Sequence, residues 1–288
     1  MSAITADVDT VAAPRIQSVS KPSPVTAWAA LTSRRLALSA HSPREVLAPL
    51  VTPILFALVI APALAKMIPS SGHGVDYRTF VIVGTVGLLI PLTCAFAGIG
   101  VIVDRTSGAR RELLAAPVPP RLIVAGNLTV AVLTSTLQVG VLMLAGWARG
   151  TSFHLTATGI GWFAAATLIF TVFTYSVAEI LANRIPTQEE YVGLTPVVAI
   201  LPWFLAGSLF KITALPVGLA GVARVLPTTH ALALLRYGVL DRNGAGLHDV
   251  WGFANTTLDA TLSLFVLAIW AVLAAGAALR IFHRTAVT

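Results

Sequence analysis

The chain has 288 residues, of which 56% are hydrophobic and 11% charged, against roughly 25% charged in ordinary soluble domains. Nineteen Lys and Arg with twelve Asp and Glu cannot clothe a soluble fold of this size, so lipid is the solvent for much of the surface. A net charge of +7 and a pI near 10.3 do not indicate a nucleic-acid partner, because the basic residues sit at the ends of apolar runs and form no stripe interleaved with aromatics.

Residues 1–25 are small and polar, with Pro14, Pro22 and Pro24. They lack the charged start, apolar stretch and cleavage site of a secretory signal and are expected to be a disordered cytoplasmic tail. Residues 26–44 hold Trp28, Leu31, Leu36 and Leu38 beside Arg34 and Arg35. That mixture suits a helix lying in the inner interface, with Trp at headgroup level and Arg toward phosphate; a plain cytoplasmic linker is the alternative.

Six apolar runs then follow, near 46–65, 79–103, 122–147, 158–182, 192–210 and 259–281. Each approaches the roughly 20 residues that cross about 30 Å of hydrocarbon. Charged residues mark their ends: Arg44 and Glu45 before the first, Lys66 after it, Asp104 and Arg105 after the second, Arg280 and Arg284 at the last. Pro49, Pro53, Pro62, Pro91, Pro196 and Pro202 lie in or near the runs and are tolerated there as kinks. With the N-terminus inside, twelve of the nineteen Lys and Arg fall on the inner side and seven on the outer. The positive-inside rule therefore puts both termini in the cytoplasm and requires an even number of spans.

Two segments break the simple pattern. Residues 104–121, DRTSGARRELLAAPVPPR, form a short charged inner loop. Asp104 and Arg105 stop the preceding helix, Gly108 permits a turn, and 109–116, which carries Arg110, Arg111 and Glu112, can form a short amphipathic helix with Leu113 and Leu114 on one side. Pro117, Pro119 and Pro120 then end it stiffly. Such a helix suits docking of a cytoplasmic partner, although an ordinary positive loop would share its composition. Residues 211–240 are apolar but interrupted by Pro216, Arg224, Pro227, His230 and Arg236. Their halves, 212–223 and 229–240, are too short to span and are expected to form a broken re-entrant hairpin dipping in from the outer face after Gly207.

Chemistry-bearing motifs are scarce. The sequence contains no phosphate-binding G-x-x-x-x-G-K-[ST], no H-E-x-x-H and no G-x-S-x-G, and its six histidines are scattered. Cys94 stands alone inside an apolar run and reads as a small core residue. Glu179 is the one carboxylate clearly inside a span, near its inner end, where it is expected to snorkel or pair with Arg184.

In order along the chain, three features resemble the membrane subunit of ABC-2 type transporters, the class of daunorubicin-resistance permeases and of polysaccharide and lipid exporters. One is six spans with both ends inside. A second is the acid-Arg-x-x-Gly start of the inner loop with a later Ala-Pro-Val, here Asp104, Arg105, Gly108, Ala116, Pro117 and Val118. The third is F-x-x-G after the fifth span, then L-P and L-R in the broken hairpin: Phe204, Gly207, Leu215, Pro216, Leu226, Pro227, Leu235 and Arg236. Together they cover about residues 26–284. Thr106 stands where the family often has Glu.

This resemblance implies an all-α integral membrane permease without its own ATP site. A separate ABC ATPase, present in two copies, would bind ATP and Mg and seat the 104–121 loop in a cleft. A second copy of the permease, or a related one, would complete the path, with first and fifth spans of opposite subunits meeting. The expected setting is a bacterial cytoplasmic membrane. The cargo is expected to be amphipathic or hydrophobic, because the spans lack buried polar clusters beyond Thr134, Ser135, Thr136 and Gln138. An ion-coupled carrier or a membrane-embedded lipid-modifying enzyme are the alternatives; they call for midplane carboxylates, repeats or convergent acids and bases.

Overall fold

A computed structural model of the protein describes residues 22–66, 76–241 and 243–287. Most of the expected tail, 1–25, lies outside the described residues.

Helix α1 spans Pro24–His41, its first turn capped by Ser23, whose hydroxyl accepts from Thr26 N at 3.2 Å. It lies across α6 (Arg121–Ala148), with Leu31 and Thr32 against Gly126 and Trp28 Nε1 donating to Thr129 Oγ1 at 3.1 Å. The helix thus begins and ends slightly earlier than the expected 26–44 segment. Pro43 starts the first crossing, made of α2 (Pro43–Leu55), a π-helical turn (Phe56–Ile60) and α3 (Ala61–Ala65). Pro49, Pro53 and Pro62 each remove a backbone donor. The wider π turn falls directly after two of them.

Helix α4 (Tyr77–Thr106) has 30 residues, about 45 Å at 1.5 Å per residue. Asp76 caps it by accepting from Thr79 N at 3.2 Å. Helix α7 (Ala157–Arg184) packs along α4, and α12 (Thr256–Val287) packs along α7. With α10 these helices supply much of the core, including the fully buried Ile82, Leu88, Leu89, Phe170, Leu232 and Leu234. Buried polar side chains tie helices to one another: Gln138 of α6 donates to Val46 O at 2.6 Å and accepts from Thr93 of α4.

Among the described residues, five helices are long and apolar enough to cross a membrane: Val46–Ala65, Tyr77–Thr106, Arg121–Ala148, Ala157–Arg184 and Thr256–Thr285. The expected fifth span, 192–210, differs. Its helix α8 is Gln188–Leu205, displaced toward the charged turn of Glu189 and Glu190. The reason is local: Thr187 accepts from Glu190 N at 3.3 Å and starts the helix four residues before the apolar run. Beyond its last residue the chain turns away at Gly207, whose φ of 77° lies in the left-handed region open to glycine. Even so, α8 runs the depth of the bundle. Tyr191 Oη donates to Ala95 O at 3.0 Å, Trp203 Nε1 to Gly84 O at 2.8 Å, and Tyr77 Oη to Leu209 O at 2.9 Å.

Between α8 and α12 lie a 3-10 turn (Ile212–Ala214), α9 (Val217–Val225), α10 (Pro227–Val239) and α11 (Ala245–Trp251). Helices α9 and α10 are bent by 78° at Leu226. The pair enters beside Leu209 and leaves at Val239, whose carbonyl accepts from His154 N at 2.8 Å in the loop joining α6 to α7. Both contacts lie at the Tyr77 end of α4, so the pair returns to the end it entered. Its bend sits among Pro91, Pro202 and Trp270, at the depth of mid-α4. A buried Arg236 pins the pair at the Tyr77 end of α4.

Candidate functional site

The end of the molecule opposite the bent pair is built around the 104–121 loop. After α4 the chain turns at Gly108, with φ of 85° and open space around it, and forms helix α5 (Ala109–Ala115). Leu113 and Leu114 pack on the main core. Three cations fix the loop to its surroundings. Arg34 of α1 makes a two-pronged contact with Asp104, at 2.8 and 3.2 Å, which raises the Arg34 pKa above its ordinary value. Arg105 donates to the carbonyls of Ala182, Ile185 and Pro186 at 3.0, 2.6 and 2.8 Å. Those acceptors lie at the C-terminal end of α7, where helical carbonyls lack partners and the dipole favours a cation.

Arg110 is buried and turns inward. It donates to Asn183 Oδ1 at 2.8 Å on α7, and to Thr285 Oγ1 at 2.7 Å and Phe282 O at 3.3 Å on α12. Burial lowers its pKa, and the nearby Glu179 charge opposes that shift. Arg111, Glu112 and Pro117 instead face outward. The nine loop residues singled out by sequence are therefore brought together but divided in role. Asp104, Arg105, Arg110, Leu113 and Leu114 hold the loop, Gly108 turns it, and Arg111, Glu112 and Pro117 form its free rim.

At the other end, Arg236 donates to Gly207 O at 2.9 Å and Ser208 O at 2.8 Å and stacks 3.5 Å from the centre of the Phe80 ring. It satisfies, from the bent pair, two carbonyls of the turn that follows α8. Gly84 has no room for a side chain, because Ser208 O and the Arg236 guanidinium occupy that space. Pro227 supplies the first residue of α10 at the bend. Pro216 and Arg224 are exposed, although the Arg224 carbonyl accepts from His230 at 2.9 Å. The five hairpin residues therefore form one contact pair, Gly207 with Arg236, and no single cluster.

Two features escaped the sequence reading. Glu179 neither snorkels nor pairs with Arg184. It is fully buried, accepting from Tyr175 Oη at 2.7 Å and Asn183 Nδ2 at 2.9 Å, while Arg184 is exposed. Its spacing of four residues from each partner was the available signal, since such positions share a helix face. The second is a cleft of about 790 Å³ between α7 and α12 on one side and α8 on the other, floored by Pro91 and Ala95 of α4. Phe173, Val177 and Trp270 face Val198 and Pro202 across it, Val222 of α9 closes one end, and its lining is uncharged.

A helical membrane protein with a braced loop at one end, a bent helix pair at the other and an apolar cleft in its wall has the build of a transport permease. The family comparison narrows that class. The ABC-2 type transporter family matches residues 26–240, and the chain belongs to it. It is 27% identical over 239 residues to the inner membrane transport permease YadH of Escherichia coli K12, covering 81% of this chain and 88% of that protein. The YadH proteins of Escherichia coli O157:H7 and Shigella flexneri match to the same extent. The chain is therefore a transport permease subunit of an ABC transporter, and its family implies an ABC ATPase partner.

Proposed function

We propose that this chain is the membrane half of an ATP-driven exporter for an amphipathic or hydrophobic cargo, such as a lipid, a lipid-linked glycan or an apolar drug. The observation that carries this reading is the braced loop. Arg34, Arg105 and Arg110 fasten it to α1, α7 and α12, leaving Arg111, Glu112 and Pro117 free for a partner. A loop fastened to several spans can pass a partner's movement into them, whereas a floppy one cannot. ATP and Mg belong to two copies of the ATPase, each seating one loop. The bias of Lys and Arg toward the loop's side makes that side cytoplasmic, along with both termini. The relatives' description supports an inner-membrane setting.

Two permease copies enclose the path. Leu47, Val51, Leu55 and Val59 form an exposed stripe at every fourth position along the first crossing, and Leu194, Val197 and Leu201 form another on α8. These are the surfaces the second copy covers. The uncharged cleft beside α8 supports an apolar cargo, since ligand pockets of about 300–1,000 Å³ take their selectivity from their lining. The test is co-purification of the ATPase with the permease in detergent. Binding is expected with the wild-type chain, with a large loss for Arg111→Glu combined with Glu112→Arg. Equal recovery of the ATPase with both chains would refute the docking assignment.

A further inference from the structure

Glu179 is a carboxylate removed from solvent inside a span, and docking of a partner on the loop rim makes no use of it. Buried ions cost several kcal/mol each unless they are paired and hydrogen-bonded. Here the carboxylate belongs to a continuous polar chain. Tyr175 Oη and Asn183 Nδ2 donate to its two oxygens. Asn183 Oδ1 in turn accepts from Arg110, which sits on loop helix α5 and not on α7. The other terminal nitrogen of Arg110 reaches Thr285 and the Phe282 carbonyl on α12, and the guanidinium lies 4.5 Å from the centre of the Phe282 ring.

One cation therefore joins the loop helix to two spans. From it the hydrogen bonds run two helical turns into α7, about 12 Å. Leu113 and Leu114 already seat an amphipathic helix on the core, so seating α5 does not require a sunken Arg. What the Arg adds is direction and stiffness. Its planar fork fixes several bonds at once, which a hydrophobic contact or a single ammonium does not. Among the described residues, α7 and α12 are also the most extensively packed helix pair, so a push on one is shared by the other.

We propose that Arg110, held by Asn183, Glu179 and Thr285, is a positioning residue that makes α5, the inner half of α7 and the inner end of α12 one rigid body, so that ATP-driven movement of the loop enters the membrane through α7 and α12. The proposal rests on the docking of the ATPase on the 104–121 loop.

The test uses the full complex of permease and ATPase reconstituted in vesicles. Nitroxide labels are placed through Arg184→Cys in a Cys94→Ala background, at the exposed inner end of α7. The distance between labels in the two permease copies is measured by pulsed EPR without nucleotide and with ATP plus vanadate. The parent chain is expected to show a nucleotide-dependent shift. Arg110→Met should lose the shift while retaining bound ATPase at parental stoichiometry, and Arg110→Lys should recover part of it. Glu179→Gln keeps the shape without the charge and should shrink the shift. Where Arg110→Met fails to elute as a monodisperse complex, Thr285→Val decides, because it removes one acceptor on α12 and leaves Arg110 its Asn183 partner; it too should shrink the shift. An undiminished shift in Arg110→Met, or in Thr285→Val when the former cannot be made, overturns the joint, as does a parent chain with no shift. Failure of the docking reading looks different: the ATPase then does not co-purify with the parent chain, or binds equally well once residues 104–121 are replaced.

Discussion

Replacing Arg236 by Met should free the bent helix pair from the end of α8. The side chain donates to two carbonyls, Gly207 O and Ser208 O, at 2.9 and 2.8 Å, and stacks on Phe80. Hydrogen bonds to a charged group contribute about 1.5–3 kcal/mol each, so losing both costs about 3–6 kcal/mol before the stacking is counted. Methionine offers no donor, so both carbonyls lose the guanidinium that bonds them. At about 1.4 kcal/mol per factor of ten, the undocked population should rise about 10²–10⁴-fold. Ser208 reports on this event because it is fully buried in the docked state. In a Cys94→Ala, Ser208→Cys background, reaction with a membrane-impermeant maleimide should accelerate in proportion to that population. Arg236→Lys should fall between, since an ammonium lacks the fork that spans both acceptors. If the Met variant labels at the parental rate, the guanidinium does not hold the pair and the energetic reasoning fails.

Removing the cap of α8 with Thr187→Ala should destabilise the protein by about 1 kcal/mol, visible as a lower Tm in detergent, with Thr187→Ser restoring it. The Arg34–Asp104 pair is partly exposed, so a double-mutant cycle on thermal stability should return about 0.5 kcal/mol of coupling, falling as salt is raised. Filling the cleft with Val198→Trp should abolish transport while leaving the ATPase bound; unchanged transport would remove the cleft from the cargo route. Cysteines at Val51 and Val197, in a chain lacking Cys94, should form disulfides between copies under mild oxidation. Failure to cross-link at any pairing along the two stripes would place the second copy elsewhere.

The apolar spans were legible because lipid imposes a length that few other constraints imitate. The bent pair was legible through Pro216 and Pro227, whose missing donors are costly inside a span. Helix ends were less so. The start of α8 depends on Thr187 and Glu190, a polar capping pair that hydropathy passes over. Orientation of adjacent side chains was legible only in part: Arg110 shares the helix face of Leu113 and Leu114, three and four positions on. Arg110 and Arg111 have the same chemistry and differ by about 100° around the helix, but the partners of Arg110, Asn183 and Thr285, arrive from distant helices and could not be read from the loop. The cleft was hidden for the same reason, since its width depends on how far α8 stands from α7 and α12. Glu179 was misjudged from depth alone: position near a helix end suggests snorkelling, but neighbours one turn away on each side made burial the better solution.

The central claim is that the outward rim of the 104–121 loop faces the cell interior and receives the ATPase. A single cysteine at Glu112, in a chain without Cys94, tests it most directly with an impermeant maleimide applied to intact cells and to inverted vesicles. Labelling only in inverted vesicles, and protection there by added ATPase, is the predicted result. Labelling from outside intact cells would contradict the orientation, the docking surface and the proposed route of force together.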